Sequence, residues 1–165
     1  MNGLSDQLAG VRELVRVVRP GGRAVLREGG LPLQFHPFDV GLGIPGLQER
    51  LTVALAQWFV NWRGSLPDGV AYPYGRSHLL HKAGLNSVIA KSFVYEFASP
   101  LETYQTEFLE AWLSHYLHDP TRKQLLTTQD ALTLEQLLNR TSLHYVFDRD
   151  DLHGILVDTL YIGSV

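Results

Sequence analysis

The chain has 165 residues, of which 45% are hydrophobic and 19% charged, and this composition is typical of a globular protein rather than a disordered one. Its net charge of −3 gives no electrostatic argument for binding nucleic acid. The sequence has no cysteine, which excludes disulfide bonds, thiolate metal ligands and cysteine nucleophiles. It also has no apolar run near the ~20 residues of a membrane span, and it begins without the pattern of a cleaved secretory signal. We therefore expect the cytoplasm in which the protein is made as its default location, and no membrane partner.

The first predicted helix carries one apolar stripe. Its residues recur at helical spacing, and Pro20-Gly21-Gly22 then ends the helix. Two interpretations stay open: the helix packs on its own domain, or it docks on a partner. We divide the chain accordingly into residues 1–22, a docking helix with its linker, and residues 23–165, a single domain. The stripe consists of Leu4, Leu8, Val11, Val15 and Val18.

Two segments predict β-hairpins. Residues 24–28 and 31–35 flank Gly29-Gly30, which has the composition of a two-residue turn, and Pro32 would place the second arm at a sheet edge. Residues 143–147 and 154–162 flank a polar turn and give the clearer hairpin signal. In the second arm of that hairpin both alternating sets of side chains are largely apolar, which predicts a strand covered on two sides. One of these covers could belong to a partner chain.

Helical patterns occupy much of the remaining sequence. Residues 46–62 have the leucine and tryptophan stripe of a core helix, and a further helix is expected from Pro100 to just before Asp119-Pro120. Shorter helices are expected at residues 78–83 and 134–139. Residues 86–98 fit either a helix or a strand, because they are rich in β-branched and aromatic residues. The predicted class is α+β: about three to four helices packed on a small antiparallel sheet, with an N-terminal helix and a C-terminal β-hairpin.

Motifs for catalysis or metal binding are weak. The pairs His78/His81 and His115/His118 have i, i+3 spacing, but neither lies in a His-Glu-x-x-His frame, and histidine in the last turn of a helix suits the helix dipole. Four glutamates could include a glycosidase pair, although acids on helix surfaces are the commoner explanation. They are Glu96, Glu102, Glu107 and Glu110. We predict no catalytic residue, no metal site and no cofactor, and hence a protein that is not an enzyme.

A series of short motifs resembles a known family. Gly43 and Gly46 precede a Gln-x-x-Leu helix start, the helix ends in an Arg-Gly turn, and Leu66-Pro67, a Tyr-Gly pair and Leu79-Leu80 follow. An Asp-Pro-x-Arg motif comes after the next long helix. Together with the first hairpin, this order is similar to the baseplate wedge protein, or sheath initiator, family of contractile phage tails and related injection systems, a family also labelled lysozyme-like. The matching positions are Gln48, Arg63, Gly64, Tyr74, Gly75, Asp119, Pro120 and Arg122.

The resemblance implies a structural role in a virion. The N-terminal helix would join a helical bundle of other wedge proteins, and the last hairpin would offer a strand edge to which the first sheath ring adds. The residues expected to contact the sheath are Leu143, Tyr145, Phe147, Ile155, Val157, Thr159 and Tyr161. The expected partners are wedge, sheath and tube or hub proteins, with six copies around the tail axis. The alternatives are another tail or neck adaptor and, in a different class, a small hydrolase of cell-wall glycan.

Overall fold

The computed structural model describes Leu4, residues 6–66 and residues 75–165, with all their side chains except that of His36. The helices in these ranges are α1 Gln7–Arg16, α2 Leu47–Ser65, α3 Gly75–Lys82, α4 Thr103–His118, α5 Pro120–Lys123 and α6 Thr128–Leu138. The strands are β1 Arg23–His36, β2 Asn86–Phe97 and β3 His153–Ser164, and they form an antiparallel sheet in the order β1-β3-β2. The predicted α+β class is confirmed, with six helices in the described residues rather than three or four.

The first predicted hairpin is wrong, because β1 runs without a turn from Arg23 to His36. Neither Gly29 nor Gly30 has the positive φ that a two-residue turn requires. A Cβ atom on Gly30 would lie 3.1 Å from the Thr159 hydroxyl oxygen, so glycine here permits β3 to approach closely. Pro32 does lie in an edge strand, as predicted.

The last predicted hairpin is also wrong in its first arm. Residues 143–145 form turns, and Val146–Asp148 is a short 3-10 helix. Their backbone makes local bonds, from the Tyr145 N–H to the Ser142 carbonyl and from the Asp148 N–H to the Tyr145 carbonyl. Val146 is fully buried, so its burial is achieved by a turn rather than by a strand. The second arm is a strand, β3, and residues 86–97 are a strand as well.

The chain divides into two compact units. The first contains residues 1–31, 61–94 and 157–165, and the second contains residues 32–60 and 95–156. This division differs from the predicted boundary after residue 22, because α1 belongs to the first unit. There Val11 is fully buried in a core that it shares with Ala24, Leu26, Leu79, Leu80 and Leu85.

The second unit has a larger core formed by helical stripes. Leu47 and Leu51 of α2 lie four residues apart on one face, and Leu109 and Leu113 of α4 repeat this spacing. Leu134 and Leu137 of α6 complete the helical contribution. Phe35 and Leu33 of β1 lie in the same core, which therefore contains part of the sheet.

Candidate interaction surfaces

The outer edge of β2 is the most open strand surface among the described residues. β2 lies at one end of the sheet, and none of its twelve residues is buried. Ile89, Val94 and Tyr95 expose 56%, 68% and 49% of their surface. Natural proteins usually protect such an edge with prolines, charges or a covering segment, because an unpaired strand readily pairs with another chain. β2 carries only Lys91 and Glu96 as charges and has no proline, so it is suited to receive a partner strand.

On its inner side, the part of β2 that belongs to the first unit is attached to that unit. The hydroxyl groups of Ser92 and Thr159 lie 2.9 Å apart and link β2 to β3. Val88 packs against the core of the first unit. The strand is therefore held in place on the side of β3, while its outer N–H and C=O groups face away from the sheet.

The edge of β1 differs, because a buried side chain occupies part of it. Gln48 of α2 donates from Nε2 to the Leu33 carbonyl at 3.2 Å, and its Oε1 accepts from the Phe35 N–H at 3.3 Å. Its Nε2 also donates to the Thr52 hydroxyl at 3.0 Å. These bonds take backbone groups that a docking strand would use, so Gln48 closes this part of β1. The family-motif position Gln48 thus has a structural role at a sheet edge.

The strand predicted to offer an edge to the sheath is the central one. β3 is paired on both sides, so the predicted free edge at Ile155, Val157, Thr159 and Tyr161 is wrong. All four side chains are half-buried, in agreement with a strand that is covered on two sides.

The other three predicted contact residues lie before β3. Leu143 is fully exposed, and the rings of Tyr145 and Phe147 meet edge to face at 5.4 Å. They are in turns and a 3-10 helix, so they offer no strand for pairing. The free edges of the sheet therefore belong to β1, which Gln48 closes in part, and to β2, which the sequence marks only by its β-branched and aromatic composition.

The predicted docking stripe of the N-terminal helix faces its own unit. Val11 is fully buried, and Leu8, Val15 and Val18 pack around the same core, whereas Leu4 is exposed. The interpretation as a helix held away from its domain is therefore wrong for the described residues.

Polar contacts fix the same helix. Asp6 caps it by accepting from the Ala9 N–H at 2.8 Å. Arg76 of α3 donates to Gln7 at 2.6 Å and makes two bonds to the Glu28 carboxylate, at 3.0 and 2.9 Å. A partly buried cation thus connects α1, α3 and β1.

The Arg-Gly and Tyr-Gly motif positions have different environments. Arg63 is buried and Gly64 is exposed, and both lie in the last turn of α2 rather than in a turn outside it. Gly75 starts α3 with a φ of +78°, a conformation that favours glycine. Tyr74 lies outside the described residues.

The Asp-Pro-x-Arg motif forms a junction between α4 and α5. Asp119 caps α5 by accepting from the N–H and the hydroxyl of Thr121, at 2.8 and 2.6 Å, and Pro120 is the first residue of that helix. The Arg122 guanidinium lies 4.1 Å from the centre of the Trp58 ring, whose Nε1 donates to the Thr121 hydroxyl at 2.9 Å. The motif thus attaches this junction to α2. The hydrogen bond from Thr121 is the main cause that lowers the pKa of Asp119.

A buried hydroxyl lies near the junction. Tyr116 of α4 is fully buried, and its hydroxyl has no hydrogen-bond partner among the residues that the structure describes. Burial raises the pKa of Tyr116, and the positive charge of Arg122 opposes this effect. The phenol therefore remains neutral at physiological pH.

The acids considered for hydrolysis have structural contacts or lie on surfaces. Glu102 takes part in a capping box at the start of α4, and Glu110 forms an ion pair with Arg140 at 2.8 Å. Glu96 and Glu107 are exposed. A cavity of about 360 Å³ in the second unit is lined by other residues: Arg50, Val53, Ala54, Gln57, Leu125, Leu126, Thr127 and Asp130.

The histidine pairs have local backbone contacts. His81 Nδ1 lies 3.2 Å from the Leu85 carbonyl oxygen, and His115 Nδ1 lies 2.9 Å from that of Ala111. Across residues 6–66 and 75–165, no three His, Asp or Glu side chains are grouped as metal ligands.

No family model matches this chain, and no curated protein sequence matches it. In the part of the chain that the structure describes, no helix has both the length and the apolar character needed to cross a bilayer.

Proposed function

We propose that this chain is a structural component of a contractile tail baseplate, a wedge protein or sheath initiator that nucleates the first sheath ring by β-strand addition. The observation that carries the proposal is the open outer edge of β2, with no buried residue and three exposed large apolar side chains. The motif resemblance supplies the class of assembly. The edge itself supplies a means of binding that needs no catalytic residue.

Strand addition uses the backbone of β2 for affinity and its side chains for specificity. About half of its twelve residues direct an N–H and a C=O outwards, and each such bond contributes a net ~0.5–1.5 kcal/mol. Ile89 and Tyr95 lie on one face of the strand, and Val94 lies on the other. A partner strand with apolar residues on both faces would bury all three.

The proposal assigns the contact with other wedge proteins to a surface other than α1, since the stripe of α1 packs on its own core. Val53 and Val60 lie seven residues apart on α2 and are both exposed, which gives a helical partner an apolar stripe to pack on. In this account the chain is assembled in the host cytoplasm and resides in the tail baseplate. Its partners are wedge, sheath and tube or hub proteins, with six copies around the tail axis.

An assembly assay with purified sheath protein tests the proposal. Ala90→Pro and Lys91→Pro are a matched pair, because successive residues of an edge strand direct their N–H groups to opposite sides. The proline whose N–H would have faced β3 removes a hydrogen bond of the sheet and lowers the unfolding temperature. The other proline removes only an N–H that faces outwards, so its unfolding temperature stays near that of the wild type. We expect the variant that keeps its stability to lose sheath nucleation.

Three outcomes would contradict this reading. Nucleation at the wild-type rate by the stable proline variant would exclude strand addition at β2. Binding to tube or neck proteins without binding to sheath would identify an adaptor instead. Hydrolysis of peptidoglycan that Glu107→Gln abolishes would favour the enzyme class.

A further inference from the structure

The two units carry opposite charge. The first unit has nine Arg and Lys and five Asp and Glu, for a net charge of +4. The second has five Arg and Lys and twelve Asp and Glu, for a net charge of −7. The chain total of −3 therefore conceals a strong separation of charge, which is an indicator of electrostatically directed binding.

In the first unit, β1 has one buried and one exposed face. Ala24 and Leu26 are buried in the core, so Arg23, Val25 and Arg27 lie on the opposite face. All three of these side chains are exposed. Two cations thus flank an apolar side chain on this face of β1.

The neighbouring strand continues the same face. Arg27 forms an ion pair of 2.6 Å with the buried Asp158 of β3, which places Asp158 on the face of Arg27. Leu160 follows two residues later on that face and is half-buried. Among the described residues the centre of the face is therefore apolar, since Arg27 neutralises Asp158 there.

Strand β2 supplies the other border of the face. Val88 packs against the core, so Ile89 and Lys91 lie on the opposite side, and both are exposed. The face as a whole has apolar side chains between cations. We name it the basic sheet face, and it consists of Arg23, Val25, Arg27, Ile89, Lys91 and Leu160.

The second unit exposes a surface of complementary character. Tyr104 and Phe108 lie one turn apart on α4 and expose 62% and 46% of their surface. Glu107 lies beside them and is exposed, and the Phe97 ring stacks on Phe108 at 5.8 Å. We name these four residues the acidic aromatic face.

We propose that a second copy of this chain is the partner of the basic sheet face. The basic sheet face of one copy binds the acidic aromatic face of the next copy, so that aromatic rings cover the apolar centre and the cations of Arg23 and Lys91 lie near the Glu107 carboxylate at the rim. Such a contact joins two different surfaces and is head-to-tail, which leads to a ring or an open filament. The inference goes beyond the proposed function, for which it would supply the contact between adjacent copies.

Sedimentation of the purified full chain over a range of concentrations tests this contact. We expect wild-type association at low salt that weakens about tenfold or more in 1 M NaCl, because the rim charges are screened. Arg23→Glu with Lys91→Glu should weaken association by at least about tenfold. Arg12→Glu with Lys82→Glu is the control, since it changes net charge equally at exposed positions of α1 and α3. Arg27 stays unchanged in all variants because it pairs with Asp158.

A mixing experiment tests the head-to-tail geometry. Tyr104→Ala with Glu107→Ala weakens only the acidic aromatic face and does not reverse its charge, and the Arg23→Glu, Lys91→Glu variant alters only the basic sheet face. Each variant alone should be monomeric. Their mixture should form a one-to-one heterodimer that does not grow, since it contains one intact pair of faces.

Several results would overturn the inference. One is a wild-type chain that stays monomeric to ~100 µM at low salt. Another is association that the Arg23→Glu, Lys91→Glu variant retains unchanged. A third is a mixture of the two variants in which no heterodimer forms. A monomeric chain that still nucleates sheath would overturn this contact alone and leave the proposed function intact. A chain that associates with itself but never binds sheath would overturn the proposed function and leave this contact intact.

Discussion

Replacing Gln48 tests the claim that this side chain closes the edge of β1. Gln48→Leu keeps the approximate size of the side chain but removes its bonds to the Leu33 carbonyl and the Phe35 N–H. Both residues are almost fully buried, so neither backbone group gains a free water contact in exchange. The Leu33 carbonyl keeps a longer bond of 3.4 Å from Gln34 Nε2, whereas the Phe35 N–H loses its partner, so the free energy of unfolding should fall by about 1–3 kcal/mol. Thr52 contributes little to this loss, because its hydroxyl keeps bonds to Gln34 and to the carbonyl of residue 48.

Urea denaturation followed by tryptophan fluorescence measures this change. Gln48→Glu is a second variant: its carboxylate still accepts from the Phe35 N–H but lies as a buried charge against the Leu33 carbonyl, so it should lose at least as much stability as the leucine variant. Hydrogen exchange should also become faster at residues 33–36 in the leucine variant. A loss below ~0.5 kcal/mol, with unchanged exchange, would refute the assigned role of Gln48.

Three other substitutions have distinct expected outcomes. Tyr116→Phe removes a buried hydroxyl without a described partner, so the free energy of unfolding should stay the same or rise by about 1 kcal/mol. The pKa of Tyr116 in the folded state is raised above its ordinary 10.0, so above pH 10.0 ionisation favours the unfolded chain and the free energy of unfolding falls. Urea denaturation at a series of pH values should show a smaller fall above pH 10.0 in the phenylalanine variant than in the wild type. Arg50→Ala removes bonds to the Ile44 and Pro45 carbonyls and leaves the buried Asp130 without its cation, so the free energy of unfolding should fall by about 2–4 kcal/mol. An unchanged urea midpoint would contradict this ion pair. Val94→Lys should change thermal stability by less than ~0.5 kcal/mol, since Val94 is exposed, yet it should reduce binding of sheath protein in a pull-down assay.

The helices were largely predictable because their signals are local. The leucine spacing of α2 predicts residues 46–62, and the helix spans Leu47–Ser65. Prolines mark both ends of the predicted α4, which spans Thr103–His118. The stripe of α1 was predicted correctly as apolar, but the surface that it packs on depends on α3 and β1, which are distant in sequence.

The strands were harder to predict because their pairing is not local. Gly29-Gly30 fits a turn and also fits a close approach between two strands, and only the position of Thr159 selects the second possibility. Residues 143–147 alternate like a strand, yet the burial of Val146 is achieved by local turns. The exposed edge of β2 follows from the strand order, which puts β3 in the centre. For this reason the sequence predicted a free edge but assigned it to β3, which is paired on both sides.

Electron cryomicroscopy of the tail particle that contains this chain tests the central claim most directly. The account predicts a foreign strand, from a sheath subunit, paired along the outer edge of β2 and covering Ile89, Val94 and Tyr95. Density that shows this edge unpaired in the assembled tail, with the sheath bound elsewhere on the chain, would contradict the account.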